Sequence, residues 1–207
     1  MAEKFETHMG RAAVILRDNI DTDQIIPSRE MKTVGRQGLS AGLFAGWRYL
    51  EPNSRDIDPS FVLNQAEQVG TSVLISGANF GCGSSREHAA WALKEYGIRV
   101  IIAKSFGEIF HGNCVRNGIL PITLTEEDVV RLASLDAPID VSVNLQSQSV
   151  SCPQLPDWVR EFEITQFAKK LLIEGLDPIA LTLKDAANIE AFFAQDQTDR
   201  PWVYSAA

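Results

Sequence analysis

The sequence predicts an α/β fold with a parallel sheet around one βαβ unit, further antiparallel strands, and helices that cover the sheet. Two apolar runs rich in β-branched residues, 73–75 and 100–103, flank a segment rich in helix formers that Gly97 ends. Later in the chain, apolar and polar residues alternate over 139–145, which is typical of a strand with one buried face. The crossover between the two parallel strands should be right-handed.

The composition limits the number of domains and the kinds of partner. The chain has 207 residues, 45% hydrophobic and 22% charged, which predicts one globular domain over 1–207 with a sizeable core. The net charge of −8 argues against nucleic acid or an anionic membrane as partner, because both require a basic surface. We expect no membrane-spanning helix and no signal peptide, because neither apolar pattern is present.

The cysteines indicate the cellular compartment and the cofactor content. Cys82, Cys114 and Cys152 are isolated, with no Cys-x-x-Cys pair. This spacing favours reduced thiols in a cytoplasmic protein over a disulfide framework, a zinc site or a complete iron–sulfur site. We therefore expect the chain itself to bind no metal or cluster.

The N-terminal part begins with a predicted strand, residues 12–16, followed by an acidic stretch at 18–23. Asp and Asn favour turns, so a solvated turn is one interpretation of that stretch. A cation site is the other, although no Gly or distal Glu completes a calcium loop. Residues 28–50, with four glycines and four basic residues, predict a long surface loop with a short helix around 39–45. Such a loop is either functional or simply flexible.

The candidate site is the glycine-rich loop that joins the first strand of the βαβ unit to its helix. Gly77, Gly81 and Gly83 allow close approach of a ligand to the backbone. Ser84 and Ser85 are placed at the predicted helix start, where unpaired N–H groups and the helix dipole favour an anion. Arg86 adds a planar cation suited to a carboxylate. The pattern predicts a carboxylate site at the carboxyl end of the strand, with an ordinary Ser-capped helix as the alternative.

Other motifs do not fit this loop. It contains no Lys for a P-loop, and Arg86 stands where a dinucleotide fingerprint requires Gly. Neither Arg86 nor Glu87 is the Gly that would complete a nucleophile elbow. His88 and His111 are expected to be packing or surface residues, because no second ligand lies at helical spacing from them.

The remaining elements follow from local patterns. We predict a helix over 106–117, a strand over 119–124, and a helix that Thr125 caps. Further strands are predicted near 150 and over 159–164, with Pro153 and Pro156 in turns. Two more helices complete the chain: one over 165–174 that Gly175 stops, and one capped by 182–185 with an apolar side of Ile189, Phe192 and Phe193.

Residues 81–89, Gly-Cys-Gly-Ser-Ser-Arg-Glu-His-Ala, resemble the signature of the swivelling domain of the aconitase superfamily. From about Phe5 to the C-terminus, the chain is similar to the small-subunit family of the bacterial 3-isopropylmalate dehydratases. The stretches that carry this resemblance are 19–27, 43–44, 47–49, 59–64, 105–106, 109–113 and 175–182. The resemblance implies a β/β/α swivelling domain.

It also implies an activity in which a hydroxyl moves between adjacent carbons of a malate-type acid by dehydration and rehydration. Ser84 would be the base, and Asp23 is the second candidate catalytic residue. Ser85, Arg86 and Thr22 would bind substrate. The Lewis acid would be a [4Fe–4S] cluster held by a separate large subunit, so this chain would be active only as part of a complex.

The resemblance assigns substrate recognition to residues 28–50. Met31, Val34 and Leu39 would supply an apolar wall for an alkylmalate, whereas Arg36 would suit the additional carboxylate of a homoaconitate-type acid. Glu30 stands where the family pattern has an apolar residue, which keeps citramalate, dimethylmalate and homoaconitate open as substrates. A non-catalytic anion-binding module is a further alternative.

Overall fold

A computed structural model describes residues 3–31 and 35–204 of the chain. Its strands form one seven-stranded sheet in the order β4-β3-β2-β1-β5-β6-β7. The strands are β1 (Thr7–Ile15), β2 (Val73–Ser76), β3 (Val100–Ala103), β4 (Leu120–Thr123), β5 (Ile139–Asn144), β6 (Ser149–Cys152) and β7 (Leu155–Glu161).

The sheet has a parallel half and an antiparallel half, and β1 joins them. β1, β2, β3 and β4 pair in parallel, with Ile15 opposite Ser76 at the carboxyl end of the β1–β2 pair. The other edge of β1 pairs antiparallel with β5, and β6 and β7 continue in that sense. This arrangement confirms the predicted parallel core with added antiparallel strands.

Nine α-helices lie within the described residues. They are α1 (Thr22–Ile25), α2 (Ala45–Arg48), α3 (Glu87–Tyr96), α4 (Glu108–Arg116), α5 (Glu126–Ala133), α6 (Gln166–Glu174), α7 (Pro178–Leu183), α8 (Ala186–Asp199) and α9 (Pro201–Tyr204). Three predicted helix boundaries are confirmed. Gly97 ends α3 in the left-handed conformation, and the Thr125 and Thr165 side chains cap α5 and α6.

Alternating strand residues divide the core into two clusters on opposite faces of the sheet. Leu74 packs in the cluster that contains Leu93 of α3, whereas its neighbour Val73 packs in the cluster that contains Leu132 of α5. Successive side chains of a strand point to opposite faces, so α3 and α5 lie on opposite faces of the sheet. The helix that carries the candidate loop is therefore held against the sheet by a buried apolar face.

Two predictions in the C-terminal part are wrong in detail. Pro156 is not in a turn: it is the second residue of β7, an edge strand, where a missing N–H is tolerated. That strand ends at Glu161 rather than at residue 164. Residues 178–183 form a further helix that was not predicted, and α8 starts at Ala186, directly after the predicted capping stretch, with Asp185 as its N-cap.

The expected apolar side of the last long helix is not buried. Ile189, Phe192 and Phe193 are 49%, 67% and 49% exposed. The periodicity correctly placed these residues in a helix. Phe193 packs edge-on against Tyr204 of α9, with ring centroids 5.0 Å apart, but all three side chains stay largely exposed.

The described parts of the 28–50 stretch, 28–31 and 35–50, are less irregular than the glycine pattern predicts. Short 3₁₀ helices span Ser28–Glu30 and Ser40–Gly42; the second lies within the short helix predicted around 39–45, and α2 starts at the end of that range. Leu39, Leu43 and Phe44 are buried in the cluster around α3, so this part is anchored rather than lying freely on the surface. Burial of Leu39, which is 1% exposed, also excludes it from the predicted apolar wall. Val34 lies outside the described residues.

Candidate active site

A cavity of about 290 Å³ lies at the carboxyl edge of the parallel strands. The segments that follow β1, β2 and β3 all contribute to it, as expected for a ligand site in a parallel α/β sheet. The lining residues are Thr22, Asn79, Gly81, Cys82, Gly83, Ser84, Ser85, Arg86, Gly107, Glu108, Ile109 and Phe110. The structure thus places four predicted site residues, Thr22, Ser84, Ser85 and Arg86, around one cavity.

Backbone hydrogen bonds hold the glycine-rich loop on both sides. On one side, Gly81 N donates to Ile20 O over 2.7 Å, and Thr22 N donates to Cys82 O over 3.0 Å. On the other side, Gly107 N donates to Phe80 O over 2.9 Å. Pairing with both neighbouring segments restricts the backbone, so the loop is preorganised before any ligand arrives.

Gly81 is required at its position for two reasons. Its φ of +75° lies in the left-handed region, which a residue with a side chain adopts only with strain. A Cβ at this position would lie 2.1 Å from Cγ of Phe110, a lining residue from α4. Any side chain would therefore displace either the loop or the start of α4.

Two helix N-termini face the cavity, and the sequence predicted only one of them. α3 begins at Glu87 with Arg86 as its N-cap, and α4 begins at Glu108 with Gly107 as its N-cap. Neither N-cap makes a side-chain hydrogen bond, which overturns the alternative of an ordinary Ser-capped helix. Ser84 and Ser85 precede α3 instead of starting it. Uncapped N–H groups at both helix ends favour an anion between them.

Arg86 is oriented by two side chains from the segment after β1. Its Nη1 forms an ion pair with Oδ1 of Asp23 and donates to Ser28 Oγ over 3.0 Å. Ser28 Oγ in turn donates to Asp23 Oδ1 over 3.0 Å. Arg86 has five N–H donors, so those on its other nitrogens stay available for a ligand carboxylate.

The same contacts set the ionisation of Asp23. Burial by itself would raise its pKa, but hydrogen bonds from Ser28 and Arg86 and the Arg86 charge outweigh burial and lower the pKa. Asp23 is therefore a carboxylate at neutral pH. Its position is that of a group that orients Arg86, and its predicted catalytic role stays a prediction.

Ser84 presents its hydroxyl to the cavity from an exposed position. Its backbone carbonyl accepts hydrogen bonds from Thr22 Oγ1 over 3.0 Å and from Arg86 N over 2.8 Å. Among the described residues, the Ser84 hydroxyl itself has no hydrogen-bond partner. Thr22 thus fixes the serine backbone and leaves the hydroxyl free to meet a ligand.

The acidic stretch at 18–23 is a set of structural contacts. Asp18 accepts from Ala78 N over 2.6 Å, Asp21 caps α1 together with Gln24, and Asp23 pairs with Arg86. Across residues 3–31 and 35–204, no group of three or more His, Cys, Asp or Glu side chains is arranged to hold a metal ion. The acids therefore link the loops, and this overturns the cation-site interpretation.

Arg36 is the predicted site residue that the structure does not bring to the cavity. Its guanidinium lies over the ring of Trp91, 5.0 Å from the centroid, on the face of α3. His88 packs on the same ring with centroids 4.7 Å apart, and His111 packs edge-on against Phe106 at 5.8 Å. Both histidines are thus packing residues, as expected.

Comparisons with known proteins agree with this geometry. A family model described as the aconitase C-terminal domain matches residues 2–127. Over 206 residues the chain is 54% identical to the 3-isopropylmalate dehydratase small subunit of Cupriavidus necator. This alignment covers 98% of each of the two chains. The chain belongs to the family of 3-isopropylmalate dehydratase small subunits. Members of this family are subunits of a hydro-lyase.

Two further relatives extend this family assignment. The small subunit from Dinoroseobacter shibae is 46% identical over 204 residues, covering 97% of this chain and 100% of the relative. A crystal structure of 3-isopropylmalate dehydratase from Methanocaldococcus jannaschii aligns with a TM-score of 0.65 at 28% identity. That alignment covers 89% of this chain and 98% of the other, which confirms the predicted fold.

Several residues of this family member were missed by sequence reasoning. Ser28 bridges Asp23 and Arg86, and its position directly after the 19–27 motif was the available signal. Asn79 donates from Nδ2 to Asn19 Oδ1 over 2.8 Å, and both residues have positive φ. Ile109, 56% exposed, lies at the cavity in the first turn of α4. Only the parallel strand order brings these segments together.

Proposed function

We propose that this chain is the small subunit of an enzyme that interconverts 2-isopropylmalate and 3-isopropylmalate by dehydration and rehydration, in leucine biosynthesis. The observation that carries the proposal is 54% identity to a small subunit of this enzyme over nearly the whole chain. The cavity supports it, because Thr22, Ser84, Ser85 and Arg86 converge there. The whole chain acts as one swivelling domain, as the family resemblance implies, and its isolated cysteines favour the cytoplasm.

Arg86 and Ser85 bind one carboxylate of the substrate. The guanidinium of Arg86 is held by Asp23 and Ser28 on one nitrogen, and its remaining donors suit the two oxygens of a carboxylate. The uncapped N-termini of α3 and α4 add partial positive charge on both sides of the cavity. A dianionic alkylmalate is thus stabilised by permanent dipoles and one oriented cation.

Ser84 takes the proton from the carbon beside that carboxylate. A serine hydroxyl is too weak a base on its own, so its alkoxide requires nearby donors that are already oriented. The N–H groups at the start of α3 and the Arg86 guanidinium supply them. Thr22 holds the Ser84 carbonyl, so the hydroxyl is positioned without being engaged by another side chain in the described part of the chain.

Loss of the hydroxide from the substrate requires a Lewis acid, and the cysteines of this chain do not form a binding site for an iron–sulfur cluster. Cys82 lies in the loop, whereas Cys114 and Cys152 are buried on α4 and β6, and all three are free thiols. Burial raises the pKa of each thiol, and in Cys82 the charge of Asp21 adds to that effect, so none favours the thiolate that binds iron. A [4Fe–4S] cluster held by the large subunit supplies that chemistry in the proposed complex.

The loop face of the small subunit docks onto the cluster-bearing large subunit. Exposure of Ser84, Ser85 and Ile109 at the cavity supports this, because a complete enzyme site excludes water from its reacting groups.

Residues 28–50 select the side group of the acid. A related acid, such as citramalate, dimethylmalate or homoaconitate, is the alternative substrate because Glu30 departs from the family pattern. A non-catalytic anion-binding module would use the same loop without a partner.

Co-purification and reconstitution test the proposal. We expect the chain to co-purify with a large subunit that carries the Cys…Cys-x-x-Cys set, and the complex to turn over isopropylmalate. Alone, the chain should be colourless, folded and inactive. Iron–sulfur absorption or turnover from the chain alone would show that the half-enzyme assignment is wrong, and absence of a large-subunit partner would favour the binding module.

A further inference from the structure

The middle of the 28–50 segment, residues 38–40, is bound to α3 by a single carboxylate. Glu95 accepts backbone hydrogen bonds from Gly38 over 2.6 Å, Leu39 over 2.5 Å and Ser40 over 2.7 Å. These donors are 55 to 57 residues away in the chain. Three consecutive N–H groups that converge on one carboxylate form a backbone anion site, here filled by a side chain of the same protein.

The local backbone is shaped for this contact. Gly38 has a φ of +82°, a left-handed conformation that lets its N–H and those of the next two residues point to the same carboxylate. Ser40 starts a 3₁₀ helix, and the carboxylate lies at its N-terminal end. Burial alone would raise the pKa of Glu95, but the three backbone donors outweigh it and lower the pKa. The contact is therefore ionic throughout the neutral pH range.

A second contact sets the direction of the arm formed by residues 36–40. Arg36 lies over Trp91, and Trp91 packs against His88. His88, Trp91 and Glu95 are spaced by three and four residues, so they share one face of α3. The arm therefore runs along α3 from its C-terminal end toward the end that carries Arg86.

The beginning of the segment is bound to the site itself. Ser28 contacts Asp23 and Arg86, and Glu30, whose side chain is 7% exposed, pairs with Arg55 over 2.6 Å. A Cβ at Gly42 would lie 2.6 Å from Cβ of Glu30, so the beginning of the segment packs closely against the part that follows the arm. Glu30, the residue that departs from the family pattern, is thus buried in an ion pair and holds the segment.

We propose that Glu95 is a positioning residue for substrate selection: by binding the arm 36–40 it fixes the described parts of the substrate-recognition segment, 28–31 and 35–50, relative to Arg86 and the cavity. The proposal rests on the proposed function, because it needs a substrate whose side group that segment meets. Glu95 acts through the backbone of the arm and touches no reacting atom. Without the carboxylate, the segment occupies its binding-competent position for only part of the time. The apparent affinity for substrate is then reduced in proportion to the fraction of molecules in that position.

The test uses Glu95→Gln, which keeps the side-chain size but loses the charge, and Glu95→Asp, which keeps the charge but shortens the reach. Glu127→Gln, at an exposed carboxylate on α5 across the sheet, is the matched control. In the reconstituted complex, we expect both Glu95 variants to raise KM for isopropylmalate about tenfold with kcat within about twofold, because the fraction of docked segment falls. KM for citramalate, which lacks the isopropyl group, should change less. The control should match the parent.

A second measurement on the chain alone makes the outcome independent of turnover. Amide hydrogen exchange at Gly38, Leu39 and Ser40 should be about tenfold faster in Glu95→Gln than in the parent, since protection reports local opening. Unchanged exchange, or equal KM changes for both acids, would overturn the proposal. Failure of the parent complex to turn over isopropylmalate would instead overturn the proposed function, and the exchange result would still report on the Glu95 contact.

Discussion

Arg86 and Asp23 are 63 residues apart in the chain, and their side chains form an ion pair beside the cavity. The pair joins the segment after β1 to the start of α3, and Ser28 bonds to both partners. Arg86 is thereby restricted to one orientation before a ligand binds. The consequence is a preorganised cation that lines the cavity and keeps donors on its other nitrogens for a ligand.

Ser84→Ala should abolish turnover and leave the fold intact. A positioned proton-transfer group typically contributes about 10²–10⁴-fold to rate, so we expect kcat of the reconstituted complex to fall by at least that order. The fold should persist because the Ser84 hydroxyl is exposed. Ser134→Ala, at an exposed serine after α5, is the control. A near-normal kcat in Ser84→Ala would mean that another group is the base.

Asp23→Asn should act through Arg86 instead of through proton transfer. We expect a rise in KM of about tenfold, because a hydrogen bond to a charged group is lost from a half-exposed site. Arg86→Lys should be more severe, since an ammonium cannot bind a carboxylate with two parallel bonds.

The double variant separates orientation from catalysis. If Asp23 acts only by orienting Arg86, the free-energy effects of Asp23→Asn and Arg86→Lys will not add. The reason is that Arg86→Lys already removes the guanidinium that Asp23 orients. Additive effects on kcat would assign Asp23 a catalytic role of its own. Steady-state kinetics on the four reconstituted complexes provide the measurement.

The acid preference should follow an apolar wall in the 28–50 segment. An apolar pocket discriminates a missing methylene by about 1–3 kcal/mol, so kcat/KM should be highest for isopropylmalate and lower, but measurable, for citramalate. Val34→Ala should reduce the ratio of kcat/KM for isopropylmalate to kcat/KM for citramalate. Arg36→Ala should leave the order unchanged, with homoaconitate last. A parent enzyme that prefers homoaconitate and loses that activity in Arg36→Ala would show that the segment recognises charge.

Asp128 should stabilise the packing of α5 against β7. It is 7% exposed and accepts from Trp158 Nε1 over 2.8 Å, from Arg160 Nε over 2.7 Å and from Thr125 Oγ1 over 2.8 Å. We expect Asp128→Asn to lower the free energy of unfolding by about 1.5–3 kcal/mol, the range for hydrogen bonds to a charged group. Glu127→Gln in the same helix turn is the control, and urea unfolding provides the measurement.

The effect of Asp128 should depend on pH. Burial would raise its pKa, but the hydrogen bonds from Trp158, Thr125 and Arg160 and the Arg160 charge outweigh it and lower the pKa. A lowered pKa in the folded state means that the stabilisation is complete above the unfolded value of about 4 and is lost as pH falls through the folded value. The stability difference between parent and Asp128→Asn should therefore be constant from about pH 5 to 8 and shrink below about pH 4. A difference that grows as the pH falls would contradict this assignment.

The sequence by itself determined the elements whose signals are local. Gly97 stops α3, Thr125 caps α5, and the alternation over 139–145 identifies a half-buried strand, because each pattern depends on hydrogen bonds or packing within a few residues. The 81–89 motif also placed Ser84 and Arg86 correctly at one strand-to-helix junction.

Only the tertiary structure decided which distant groups meet. The partnership of Arg86 with Asp23 and Ser28, and that of Glu95 with the arm 36–40, join residues about 55 to 63 positions apart. Such contacts depend on which strands are neighbours and on how far each loop extends. The hydrophobic periodicity of a sequence predicts neither of these. For the same reason, the family resemblance offered Arg36 as a partner for the additional carboxylate of a homoaconitate-type acid, whereas the fold places it on Trp91.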